Sequence, residues 1–234
     1  MLMHLRIDVK KVELLVFSSF KGFSQVMLME NKISGSLILF GIALYSPLLA
    51  LIAFLSSIVG TSIGLFMDSE LTKKGMYGFN AVLSGIAVML FLHSDWRWIL
   101  ALLAAVFSAY LMYILSKISA RWNIPILTTP FIVTTWVGLL IVYQIKIIHM
   151  SPAFVVSSPV QWNIPSEGKP NFILGLIKGV GEVFIIDSFW AGLFILIALF
   201  VSSWRFGVYA IAGALISWLT AFAFHHQYMD LFIY

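Results

Sequence analysis

Residues 21–26, Lys-Gly-Phe-Ser-Gln-Val, return as Lys178-Gly179-Val180-Gly181-Glu182-Val183. The step is 157 residues, and it also carries Gly35 to Gly192, Ile38 to Ile195, Leu39 to Leu196, Ser46 to Ser203 and Ala53 to Ala210. The correspondence runs on to Tyr234, which falls opposite Tyr77. A chain repeated in this way must fold its later part as it folds its earlier part, so the sequence reads as one and a half copies of a unit. Counterparts of 78–148, roughly 70 residues, are expected to be missing from the second copy. In a membrane protein such a repeat is the usual mark of a transport fold, with the substrate held where the copies meet.

The setting is a membrane. With 61% hydrophobic residues, 10% charged residues and a mean hydropathy of +1.01 over 234 residues, a soluble core could not hide the apolar surface. Apolar stretches lie around 33–66, 77–92, 97–116, 129–148 and 171–224, several of them reaching the roughly 20 residues that cross a bilayer. An all-α polytopic membrane protein follows, with the lipid bilayer as its first partner. No small-residue cleavage site follows the first apolar stretch, so no removable signal peptide is expected. The absence of cysteine excludes disulfides and thiolate metal sites. The net charge of +4 is explained by basic residues gathering in cytoplasmic loops. Lys73, Lys74, Lys117 and Arg121 fall in loops of one side and Arg97 and Lys146 in those of the other. That places the N-terminus in the cytoplasm and the chain, as a multi-pass protein, in a cell membrane, with a bacterial plasma membrane expected. There is no basic stripe for nucleic acid.

Along the first copy, 13–30 is short and interrupted at Lys21-Gly22, as a half-inserted helix would be. Five spans follow: 33–45, 48–67, 77–92, 96–117 and 130–148. Pro47 removes an amide hydrogen and clashes with the preceding turn, so helices should break at Ser46-Pro47. An odd number of spans inverts the next copy. The expected organisation is a first repeat over 1–148, an outer connector over 149–170 rich in proline, and a partial second repeat over 171–234. The last comprises a half-helix near 171–186 and spans near 190–203 and 205–224, giving about eight helical segments in all.

Few polar side chains fall at membrane depth: Gln25, Asn80, Glu182, Asp187 and His225-His226-Gln227. Such groups are costly in lipid and are functional suspects by default. Gln25 and Glu182 are repeat equivalents, which points to a two-fold polar site, although residues solvated at the lipid–water boundary would look the same. Tyr77-Gly-Phe-Asn-Ala-Val-Leu-Ser-Gly85 combines small residues for close helix contact with an amide that can bond freed backbone groups. Packing alone would account for it. Thr128-Thr129-Pro130 suits a helix start, with the threonine before the proline capping exposed amides, and a threonine hydroxyl there also offers one donor and two acceptors to a small solute. Adjacent His225 and His226 point about 100° apart on a helix and make a poor metal pair. No triad, HExxH or phosphate loop is present, so neither an enzyme nor a metal or organic cofactor is expected.

Three motifs in order resemble the urea transporter family: Lys178-Gly179-x-Gly181-Glu182-Val183-Phe184 with its counterpart at 21–26, Tyr77-Gly-Phe-Asn-x-x-Leu-x-Gly85, and Ile124-Pro-Ile-Leu-Thr-Thr-Pro-Phe131. The resemblance implies an inverted-repeat urea-channel fold, usually trimeric, carrying urea passively through a narrow slot in each protomer. Flat hydrophobic side chains would sandwich the planar solute while a row of oxygens accepts its amide hydrogens. Carried over, Gln25 and Glu182 lie at the half-helices, Val26, Leu28, Val183 and Ile185 beside them, Thr128 at the narrow middle, and Tyr77, Leu83 and Tyr234 on the facing stretches. Leu28 and Ile185 stand where the family often has phenylalanine. The second Tyr-Gly-Phe-Asn and Thr-Pro motifs are missing, so a shortened homologue is expected. Two further readings stay open: a scaffold or remnant that does not transport, and a channel for another small neutral amide or for ammonia.

Overall fold

A computed structural model describes residues 2–144, 149–151 and 172–224. In chain order the helices are α1 (Leu2–Gln25), α2 (Lys32–Tyr45), α3 (Pro47–Met67), α4 (Ser69–Lys73), α5 (Met76–Phe91), α6 (Arg97–Ser119), α7 (Thr129–Gln144), α8 (Phe172–Gly181), α9 (Phe189–Ser202) and α10 (Trp204–Phe224). A 3-10 turn, Glu182–Phe184, prolongs α8. Two short strands, β1 (Leu92–His93) and β2 (His149–Met150), pair antiparallel, Leu92 opposite Met150.

The helix starts follow local chemistry. Asn31 Oδ1 accepts from the amides of Ile33 at 2.9 Å and Ser34 at 3.4 Å, satisfying donors that the first turn of α2 leaves without partners. Ser46 is extended at φ −154°, accepts from Leu49 N, and hands over to Pro47 at the first turn of α3. The expected break at Ser46-Pro47 is therefore present. Asp68 caps α4 in the same manner.

α3, with 21 residues, and α6, with 23, are each long and apolar enough to cross a membrane. α8 with its 3-10 turn and α9 form a pair bent by 79°, the geometry of a broken span or a re-entrant loop. α2, α5 and α7 are apolar but shorter, at 14, 16 and 16 residues, and 16 residues at about 1.5 Å each give only about 24 Å. The segment expected as an interrupted half-helix over 13–30 is instead a continuous helix from Leu2 to Gln25. Lys21-Gly22 does not break it, because the missing Cβ of Gly22 serves packing: one built there would lie 2.8 Å from Ser57 Oγ and 3.0 Å from the carbonyl carbon of Gly78.

The step of 157 residues reappears in the fold. It carries both ends of α2 onto those of α9 and both ends of α3 onto those of α10. It also carries the left-handed Leu28, φ 57°, onto the left-handed Ile185, φ 60°. Contacts between α2 and α9 are reciprocal. Ser34 Oγ donates to the Ala198 carbonyl at 2.8 Å, and a Cβ on Gly41 would lie 3.2 Å from the Ala191 carbonyl oxygen. The step turns Ser34 into Ala191 and Gly41 into Ala198, so each contact is the image of the other, as a two-fold axis between equivalent segments requires. The rings of Phe40 and Phe194 meet edge to face at 4.9 Å across the same seam. One core crosses that axis, containing Phe23, Ile38, Ile42, Phe79, Phe184, Ile186 and Ile195.

Candidate functional site

Each copy reverses its chain in a short turn beside the two-fold axis. In the first, α1 stops at Gln25, Leu28 takes a left-handed backbone, and Ser24 holds the loop. Its hydroxyl donates to the Met29 carbonyl at 2.7 Å and accepts from the Asn31 amide at 3.2 Å. In the second, the Ile185 amide donates to the Glu182 carbonyl at 2.7 Å, and Ser188 caps α9 through the Ala191 amide. A left-handed backbone strains any residue with a Cβ, and most of all a β-branched one such as Ile185. Strain of this kind persists where the surroundings over-determine it, commonly at ligand sites.

The turns bury equivalent acceptor oxygens. Gln25 is 7% exposed. Its Nε2 reaches the Met76 sulfur at 3.1 Å, while its Oε1 is buried with no hydrogen-bond partner. Glu182 Oε1, one repeat on, is also buried without a partner. Orphaned buried acceptors are uncommon and call for an explanation, since each forfeits its hydration. Lys178 and Asp187 close the second turn from outside with an ion pair of 3.0 Å.

Asn80 organises the neighbouring segment. Wholly buried on α5, it donates from Nδ2 to the Leu127 carbonyl at 3.2 Å and accepts at Oδ1 from the Phe131 amide at 3.1 Å. Both backbone groups flank Thr128-Thr129-Pro130, where the chain turns through a left-handed Leu127, φ 49°, into α7. The cap expected from the threonine before the proline comes instead from across the fold: Thr129 Oγ1 donates back to the Ile126 carbonyl at 2.7 Å, and Asn80 supplies the acceptor for Phe131. Thr128 is half-buried beside this network.

A comparison with known families matches residues 16–232 to the family described as "Urea transporter". The chain belongs to the urea transporter family. Among curated relatives, urea transporter 1 of Mus musculus is 29% identical over 232 residues, which cover 91% of this chain and 57% of the relative. Urea transporter 1 of Ovis aries is 32% identical over 215 residues, 84% of this chain and 53% of the relative. The chain thus spans just over half the length of these curated relatives.

Within this urea transporter fold the residues named from sequence are distributed unevenly. Val26 is partly buried and packs against the shared core. Leu28 and Val183 are exposed, at 65% and 45%, and Ile185 is half-buried. Met27, which sequence reasoning passed over, lines one cavity with Val183, so the two turns meet at a common space. Tyr77 and Leu83 are interior, at 0% and 3% exposure: Tyr77 packs with Ala109 and Met112, and Leu83 belongs to the main core. Tyr234 and His225-His226-Gln227 lie outside the described residues, as does most of the 149–170 connector. Ser24 was also missed, and the repeat could not have revealed it, because its counterpart is Gly181.

Proposed function

We propose that this chain carries urea passively across a membrane, through a slot between the Gln25 and Glu182 turns at the two-fold axis. The observation that supports it most is the pair of buried, unpartnered acceptor oxygens at repeat-equivalent positions, Gln25 Oε1 and Glu182 Oε1. Urea is neutral, planar and donates four N–H bonds, so two inward acceptors between apolar walls replace part of its water shell. Ions gain no such compensation for a far larger desolvation cost. A neutral solute does not sense the membrane potential, so no energy source is needed. In this reading Val26, Leu28, Val183 and Ile185 form the apolar walls, Thr128 adds a hydroxyl, and Tyr77, Leu83 and Tyr234 back the slot. Residues 1–148 and 171–234 act as the two repeats about the 149–170 connector, the Lys73–Lys74 loop faces the cytoplasm, and three copies associate.

The test is urea-driven shrinkage of proteoliposomes read by light scattering. The unsubstituted chain should raise urea permeability above protein-free vesicles. Gln25→Leu, which removes one acceptor at a cost of about 1.4 kcal/mol, should lower that increment roughly tenfold, with an unchanged gel-filtration profile. Permeability no higher than that of empty vesicles rejects the proposal. One observation favours the alternative of a component that does not transport: the cavity at Val183 leaves that side of the slot unwalled among the described residues.

A further inference from the structure

We propose that His93 and His149 form a two-histidine binding site for a divalent ion of the copper, nickel or zinc class, on the face of the β1–β2 ribbon that points away from the core. The two residues are 56 positions apart in the chain (149 − 93), yet the ribbon sets them directly opposite one another. Its ladder fixes the geometry. The Ser151 amide donates to the Phe91 carbonyl at 2.7 Å. Antiparallel pairs alternate, so Leu92–Met150 is a pair without mutual backbone bonds and His93–His149 is the next bonded one, with Cα atoms about 5.5 Å apart. Side chains directly opposite on one face carry their Cβ atoms about 4.5–5.5 Å apart.

Alternation along the strands decides which way that face points. Leu92 is buried and turns into the core, whereas His93 and His149, its neighbours on the opposite face, are both exposed. Imidazole nitrogens bind such ions at about 2.0–2.1 Å, which sets the two nitrogens about 3 Å apart, within reach of rings standing side by side on Cβ atoms so spaced. His93 also borders an open cavity of about 600 Å³ with Ser94, Asp95, Trp96 and Arg97. Asp95 and Arg97 offset one another in charge. Among the described residues no third carboxylate or imidazole joins the pair, so water completes the coordination shell. Two neutral nitrogen donors select copper, nickel and zinc over magnesium and calcium, which take oxygen ligands, and copper(II) binds most tightly. The ion ties β1, which follows α5, to β2, which follows α7, at the end opposite the Asn80 bridge between the same two helices. The proposal concerns metal binding and does not depend on urea passage.

The chain has five histidines. A full-length variant combining His4→Asn, His225→Asn and His226→Asn, purified in detergent on a tag without histidine, therefore keeps only this pair. Copper(II) should bind it, and pulsed electron paramagnetic resonance should count two imidazoles on one copper. Adding His93→Asn or His149→Asn should reduce the count to at most one and weaken binding at least about tenfold, because the second imidazole of a chelate acts at high effective concentration. Three results would each overturn the proposal: a count of one or none in the triple variant; a count of two that is lost on diluting the protein at constant free copper, meaning a bridge between copies; or an affinity unchanged by His93→Asn and by His149→Asn.

Discussion

Substitution of Gly35 by alanine separates two effects that oppose one another. In a helix interior alanine is favoured over glycine by about 1 kcal/mol, from backbone entropy alone. At Gly35, however, the new Cβ would fall 2.7 Å from the carbonyl carbon of Phe20 and nearer still to its oxygen. Carbon atoms prefer about 3.5–4.0 Å, so α1 and α2 must separate by roughly 1 Å. The obstacle is backbone, which cannot rotate aside as a side chain does. Overpacking of this kind costs typically 1–3 kcal/mol and occasionally more, enough to outweigh the entropic gain. Gly138, within α7, is the matched control, since nothing lies within 4 Å of a Cβ built there. Gly138→Ala should be neutral or stabilising, and because the entropic gain is common to both sites the two variants should differ by the overpacking cost, about 1–3 kcal/mol. At about 2–4 °C per kcal/mol for a chain of this size, that is roughly 2–12 °C in Tm, measurable by circular dichroism in detergent. Gly192→Ala should repeat the loss, because its Cβ would stand 2.8 Å from the Ile177 carbonyl carbon. If Gly35→Ala melts at or above Gly138→Ala, the close crossing of α1 on α2 is not what sets the position of the first turn.

Asn80→Ala would leave the Leu127 carbonyl and the Phe131 amide without their bridge, at roughly 1–3 kcal/mol for each group left buried and unpaired; a fall in Tm should accompany faster proteolysis within 121–128. Ile185→Gly should relieve a left-handed β-branched backbone worth about 1–2 kcal/mol and raise Tm by a few degrees, whereas a drop would mean that the Ile185 side chain packs for more than the strain costs.

Several elements were legible residue by residue. The membrane class followed from apolar stretches that water could not tolerate, the break before α3 from Pro47, and the duplicated architecture from the step of 157. These depend on local chemistry or on comparing the chain with itself, which is why no coordinates were needed. The pairing of Gln25 with Glu182 was also visible as a correspondence of positions, but not the fact that each buries an acceptor without a partner. Lys21-Gly22 read as a break and proved to be a packing surface, since a glycine that interrupts a helix and one that admits another helix look alike in a sequence. Asn80 stood out as a polar residue at depth, yet its partners at Leu127 and Phe131 lie 47 and 51 residues away, and only the packing of α5 against the start of α7 selects them. Tertiary structure likewise decided that the α1–α3 groove is filled by α5, while among the described residues no helix fills its image between α8 and α10. The sequence makes the two grooves equivalent; which one holds a helix depends on what reaches it through space.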